Sequence, residues 1–138
     1  MPKMVRFNTP GISRKCLTST HHINSSGYMD KDHALAAFAA LSQSTRLDVF
    51  RLLIKAGEDG MLAGDISDTL VVRQNTMSAN LSILSRAGLI RNKREGRSIR
   101  YFADMDGMRG LLAFLMEDCC GGRPELCQPV INELACDC

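Results

Sequence analysis

Tryptophan is absent from this chain, and aromatic residues make up only 5% of it. Hydrophobic residues reach 45%, so a core can be buried, but it has to be aliphatic and methionine-rich. No apolar run approaches the roughly 20 residues a membrane helix needs, which excludes a spanning segment. An apolar stretch of the secretory kind is also missing from the N-terminus, so the chain is expected to stay in the cytoplasm. No Cys-x-x-Cys at a strand–helix junction, no glycine-rich phosphate loop and no Ser/His/Asp set is evident. An enzyme is therefore not expected, nor is a constitutive cofactor. The 138 residues suit one domain with flanking segments.

Acidic residues are missing from 1–29, where four basic side chains give +4. Residues 30–70 carry −3 and residues 103–138 carry −5. Between them, 71–102 holds Arg73, Arg86, Arg91, Lys93, Arg94, Arg97 and Arg100 against Glu95 alone, or +6. A compact basic block inside an otherwise acidic protein is the footprint of a polyanion-binding surface.

Cysteine is missing from 17–118. Cys16 stands alone, while Cys119, Cys120, Cys127, Cys136 and Cys138 crowd the last 20 residues. A disulfide framework would spread its cysteines to staple the core. Thiols gathered at one end point instead to a soft-metal or redox site.

Residues 1–29 show no sustained period and read as a flexible basic arm, or as an extension ahead of a start at Met29. A helical period begins at Asp30, with Leu35, Phe38, Ala39 and Leu41 on its apolar side. Ser42 is the expected N-cap of a second helix carrying Leu47, Phe50, Leu53 and Ile54, which Gly57 stops. Gly60 and Gly64 bracket a turn. Asp65–Leu70 reads as a short helix with Ile66 and Leu70 inward. After Val71 and Val72 a further helix carries Met77, Leu81 and Leu84 on one stripe and ends at Gly88. Two short helices with a tight connection make a helix-turn-helix.

The next segments, Leu89–Lys93 and Ser98–Ala103, are β-prone, with Arg94-Glu95-Gly96-Arg97 as the hairpin loop between them. Asp104–Cys119 is helical again, with Met108, Leu111, Leu112, Leu115 and Met116 apolar, until Gly121, Gly122 and Pro124 break it. The expected fold is mostly α with a small β-hairpin. The expected division is an arm over 1–29, a core domain over 30–120 and a cysteine-rich tail over 121–138.

The second helix of the turn places Gln74, Asn75, Thr76, Ser78 and Asn80 on its early, outward face. Short amides and hydroxyls near a helix N-terminus suit base edges and phosphates in a major groove, and Gln or Asn pairs with adenine. The hairpin holds Lys93, Arg94, Arg97 and Arg100, which suit the duplex backbone or its minor groove. A solvated helix face and arginines kept for solubility are the blander explanations. The two features in succession favour double-stranded DNA as partner.

On these residues the chain resembles the ArsR/SmtB family of winged helix-turn-helix repressors. The likeness runs over 33–120 and rests on four segments. They are Ala40-Leu41-Ser42-Gln43-Ser44-Thr45-Arg46-Leu47, Gln74-Asn75-Thr76-Met77-Ser78-Ala79-Asn80-Leu81, Leu84-Ser85-Arg86-Ala87-Gly88-Leu89-Ile90 and Arg94-Glu95-Gly96-Arg97. Family members often have Pro at Asn75 and His near Asn80. The resemblance implies a homodimer held by the first and last helices, bound to operator DNA until an inducer releases it.

Two inducer sites of that family lack their residues here. Met61–Ile66, where a Cys-x-Cys would stand, has no cysteine. The last helix has no histidine, since His21, His22 and His33 all lie toward the N-terminus. What remains is Cys119-Cys120-Gly121-Gly122-Arg123-Pro124-Glu125-Leu126-Cys127. Thiolates without histidine select soft ions. Neighbouring helical positions diverge by about 100°, so Cys119 and Cys120 converge only where the helix ends. A turn at Arg123-Pro124 could bring Cys127 over the pair. Structural zinc, with Cys136 or Cys138 as a fourth ligand, and redox disulfides remain open. The segment looks like the tail of the arsenite-responsive branch of the family. That likeness implies As(III) or Sb(III) as inducer, held by Cys119, Cys120 and Cys127.

Overall fold

A computed structural model of the chain describes residues 29–116 and 123–134. The arm up to residue 28 and Cys16, Cys119, Cys120, Cys136 and Cys138 lie outside the described residues. Helix α1 spans Lys31–Leu41, with Asp30 as its N-cap; the Asp30 carboxylate accepts from the His33 backbone N–H at 2.8 Å. Helix α2 spans Ser44–Ala56. Its N-cap is Gln43, whose Oε1 accepts from the Arg46 backbone N–H at 2.8 Å. The expected cap, Ser42, instead closes α1: its N–H donates to the Phe38 carbonyl and its hydroxyl to that of Ala39.

The α1 stripe is also corrected. Ala34, Ala37 and Ala40 are the buried residues, while Leu35 is 55% and Phe38 37% exposed. Both sets repeat at helical spacing, so periodicity alone does not choose between them. Alanines let the α1 backbone lie close against its neighbours α2 and α4 (Gln74–Arg86), which large side chains would hold apart. Helix α2 follows expectation more closely. Phe50 and Leu53 are buried with Val49, Leu47 and Ile54 stay exposed, and the helix stops at Gly57.

A 3₁₀ turn over Gly57–Asp59 leads to a short strand, β1, Met61–Leu62, and then to α3, Ala63–Leu70. Gly60 sits at φ 58, and a Cβ there would come within 2.6 Å of the Phe102 ring, so only glycine fits. Helix α3 closes with two backbone bonds, Val71 N–H to Asp68 O and Val72 N–H to Ser67 O. This is a helix ending that normally carries glycine at the left-handed position. Val71 holds that position at φ 53 and is 91% exposed. A β-branched residue there is strained.

Strands β2, Ile90–Glu95, and β3, Ser98–Ala103, pair antiparallel from Ile90↔Ala103 to Glu95↔Ser98. The loop is therefore the two residues Gly96 and Arg97, with Gly96 at φ 62; Arg94 and Glu95 belong to the strand. β1 adds to the other edge of β3, giving the order β1-β3-β2. This third strand was not expected, because two residues show no alternation.

Helix α5 spans Met105–Met116, and the Asp104 carboxylate accepts from the N–H groups of Asp106 and Gly107 at 3.1 Å. It lies against α1 and buries Leu111, whereas Met105, Leu112 and Leu115 stay exposed. A sixth helix, α6, covers Pro124–Leu134, inside what reads as tail in the sequence. Pro124 serves as a first helical residue and not as a breaker. Pro129 sits within the helix and lacks a backbone donor, which hid the helical period from the sequence.

The core joins Val49, Phe50 and Leu53 of α2, Ile66 of α3, Met77, Leu81 and Leu84 of α4, and Leu89 and Ile90. Apart from Phe50 these residues are aliphatic or methionine, with Met77 fully buried. Among the described residues no helix is long and apolar enough to cross a membrane.

Candidate nucleic-acid interface

Met77, Leu81 and Leu84 dock α4 on the core, and Val72 packs beside them. At 3.6 residues per turn the remaining positions point outward. Gln74, Asn75, Thr76 and Ser78 are accordingly exposed, as expected. Asn80 is not: it is 7% exposed, and its Oδ1 accepts from Arg46 Nη1 at 3.5 Å. The outward placement of Asn80 is therefore corrected. It falls three residues after Met77 and one before Leu81, on the docking stripe. An amide there stays polar by bonding inside the protein.

The structure adds Arg73, which sequence reading counted in the basic block but not in the site. It is the N-cap residue of α4, exposed, with no side-chain bond to the helix it precedes.

The wing follows period two. The register puts Arg91 opposite Phe102, Lys93 opposite Arg100 and Glu95 opposite Ser98 on one face. Asn92 opposite Tyr101 and Arg94 opposite Ile99 occupy the other. Lys93 and Arg94 thus project to opposite faces. The Arg91 guanidinium lies 4.6 Å from the centre of the Phe102 ring. Arg100 is engaged, with Nε donating to both Glu95 oxygens at 3.1 Å and Nη1 to the Asp59 carbonyl at 3.2 Å. It ties the wing to the 3₁₀ turn and is paired with Glu95. Arg94 Nε bonds the Gly96 carbonyl at 3.1 Å and steadies the tip. Among the described residues neither Lys93 nor Arg97 has an ion-pair partner. A polar-faced helix and an arginine-tipped hairpin thus stand on one core, the layout of a groove-reading helix with a flanking wing.

Known proteins share this layout. A model of the helix-turn-helix domain matches residues 41–92. An uncharacterised HTH-type transcriptional regulator of Bacillus subtilis, YbzH, is 32% identical over 93 residues, covering 59% of this chain and 93% of that protein. The chain belongs to the HTH-type transcriptional regulators. A solved ArsR-like regulator from Rhodococcus is 25% identical, with a TM-score of 0.56 over 78% of this chain and 96% of the other. The homodimeric winged helix-turn-helix domain of a possible ArsR-family regulator from Mycobacterium bovis is 24% identical, with a TM-score of 0.51 over 70% and 84%. That likeness concerns the fold.

Of Cys119, Cys120 and Cys127, Cys127 alone is among the described residues, in the first turns of α6. Cys127 is half-buried and disulfide-bonded. Among the described residues no group of three or more His, Cys, Asp or Glu side chains is placed to hold a metal.

Proposed function

We propose that this regulator is a repressor that binds operator DNA as a homodimer and is released by trivalent arsenic or antimony on Cys119, Cys120 and Cys127. The observation that carries the DNA part is the exposed row Gln74, Asn75, Thr76 and Ser78, on a helix docked by Met77, Leu81 and Leu84 beside the wing. Gln74 and Asn75 read base edges, Thr76 and Ser78 add hydroxyl contacts, and Arg73, Arg94 and Arg97 hold phosphates. Arg94 and Arg97 give the contact its salt dependence.

What supports a dimer is the outward apolar surface of the two terminal helices of the winged domain, Leu35 and Phe38 on α1 with Met105, Leu112 and Leu115 on α5. Large apolar side chains left in water on packed neighbouring helices mark an interface. The homodimeric Mycobacterium bovis domain has the same fold.

What supports the inducer is donor chemistry. Three thiols within nine residues, without histidine, suit a soft pyramidal ion. Binding of arsenous acid makes three As–S bonds and releases three waters, the thiol protons leaving with the hydroxyls. Cys127 is disulfide-bonded. The same bond favours a second reading, a thiol-redox response of the same fold, since Cys127 has to be reduced before it takes arsenic. Release is a population shift: the inducer has to bind the arrangement of low DNA affinity more tightly.

The test is an operator gel shift under reducing conditions, titrated with arsenite, with zinc and, in a separate arm, with peroxide. Cys119→Ser and Cys127→Ser should keep DNA binding and lose release by arsenite. Release of either variant by arsenite refutes the site. Release by peroxide alone selects the redox reading, and release by zinc alone a zinc or cadmium sensor.

A further inference from the structure

Arg46 joins three helices. It stands in the first turn of α2, partly buried, with its backbone N–H capped by Gln43. Its Nε donates to the Ala40 carbonyl at 2.6 Å and its Nη2 to the Ala39 carbonyl at 3.3 Å. Both carbonyls belong to the last turn of α1, where helix geometry leaves acceptors without an intrahelical partner. A cation there also complements the negative end of the helix dipole. The third nitrogen, Nη1, reaches Asn80 Oδ1 on α4. Among the described residues Arg46 forms no ion pair with a carboxylate, so carbonyls and one amide alone receive it.

The planar guanidinium fixes these directions relative to one another. Ala39 and Ala40 adjoin Phe38 on α1, and Asn80 lies about one turn from Thr76 on α4. Bonds from one rigid fork therefore connect the helix with the apolar outer face to the helix with the polar outer face. Asn80 is buried on the docking stripe of α4, and its amide oxygen is satisfied there by the Arg46 guanidinium.

We propose that Arg46, acting through Asn80, is a positioning residue that sets the orientation of α4 against α1, and with it the separation of the two reading helices in the dimer. The inference rests on the dimeric operator reading above. Two half-sites lie one helical turn or a multiple apart, so an error in that orientation costs simultaneous contact and leaves single contact intact.

The experiment measures binding to a duplex selected by the unmodified protein from a random pool, and to a duplex cut to one half-site. Arg46→Ala and Asn80→Leu should each lower affinity for the full site about tenfold while half-site affinity stays unchanged. Asn80→Asp keeps an acceptor and should retain the full-to-half ratio. Arg46→Lys keeps the charge without the fork and should fall between. Inserting one base pair between half-sites should penalise Asn80→Leu less than the unmodified protein. A merely structural role would lower the melting temperature and reduce both affinities together, or neither, and either result overturns the proposal. If Arg46→Ala does not fold, Asn80→Leu and Asn80→Asp decide alone. Failure of the unmodified protein to select any duplex overturns the operator reading and this inference with it. Selection followed by an unchanged ratio in Asn80→Leu overturns only the inference.

Discussion

Helices α1 and α4 are built inside out relative to each other. In α4 the large residues Met77, Leu81 and Leu84 go to the core and polar residues face outward. In α1 the small residues Ala34, Ala37 and Ala40 go inward and Leu35 and Phe38 face outward. An outward polar face is stable in water and ready for a polyanion. An outward apolar face is an unfinished core that needs a second surface. The contrast separates a polar outer surface from an apolar one before any partner is considered.

The contrast breaks if the two sets of leucines respond alike to truncation. Leu84→Ala should destabilise the fold by about 2–5 kcal/mol in denaturant titration, since the side chain is fully buried. Leu35→Ala should leave monomer stability within about 0.5 kcal/mol and shift sedimentation toward monomer. A large loss of stability in Leu35→Ala at protein concentrations where the chain is monomeric would end the distinction.

Next in size is the effect on DNA. Gln74→Ala should cost about 1–3 kcal/mol of discrimination at one base position, and Arg97→Ala should lower the salt slope by about one without changing sequence preference. Fluorescence anisotropy across a salt series separates the two. If Gln74→Ala weakens all sequences equally, α4 does not read bases through it.

Smaller still is Val71→Gly. Relieving the left-handed strain at φ 53 should raise stability by about 1 kcal/mol, partly offset by chain entropy. Thermal unfolding of the two proteins measures it. No gain would mean that the turn between α3 and α4 holds no strain.

The smallest effect concerns Asp30. The His33 backbone N–H, then its ring, holds the Asp30 carboxyl below its ordinary range. Its folded value is thus depressed. The cap contribution is present above the unfolded pKa and fades as pH falls through the folded one. Far-UV circular dichroism should show α1 fraying at acidic pH in the unmodified protein and at every pH in Asp30→Ala.

Much of the fold was legible because large apolar residues repeat at three and four wherever a helix docks on the core. Phe50 and Leu53, and Met77, Leu81 and Leu84, marked α2 and α4 correctly. Gly96 marked the hairpin because only a positive φ closes so short a loop. What failed has a physical reason in each case. In α1 two helical stripes compete, and close packing favours the smaller residues. β1 is too short to alternate. Pro124 begins a helix as readily as it ends one. Asn80 looks like any outward amide until Arg46, 34 residues away, is folded beside it. Exposure was largely legible: Gln74, Asn75, Thr76, Ser78, Arg94 and Arg97 stand exposed where expected, whereas Arg100 is tied down by Glu95 and Asp59.

Residue order alone determined the succession of elements, the concentration of positive charge between α4 and β3, and the gathering of thiols near the C-terminus, because these depend on neighbours along the chain. Only the tertiary structure decided which side of α1 is hidden, which arginines keep their charge free and which amide is withdrawn from the surface. Those outcomes depend on how closely distant backbones approach and on which polar atoms meet once water is gone, and no local pattern carries that information.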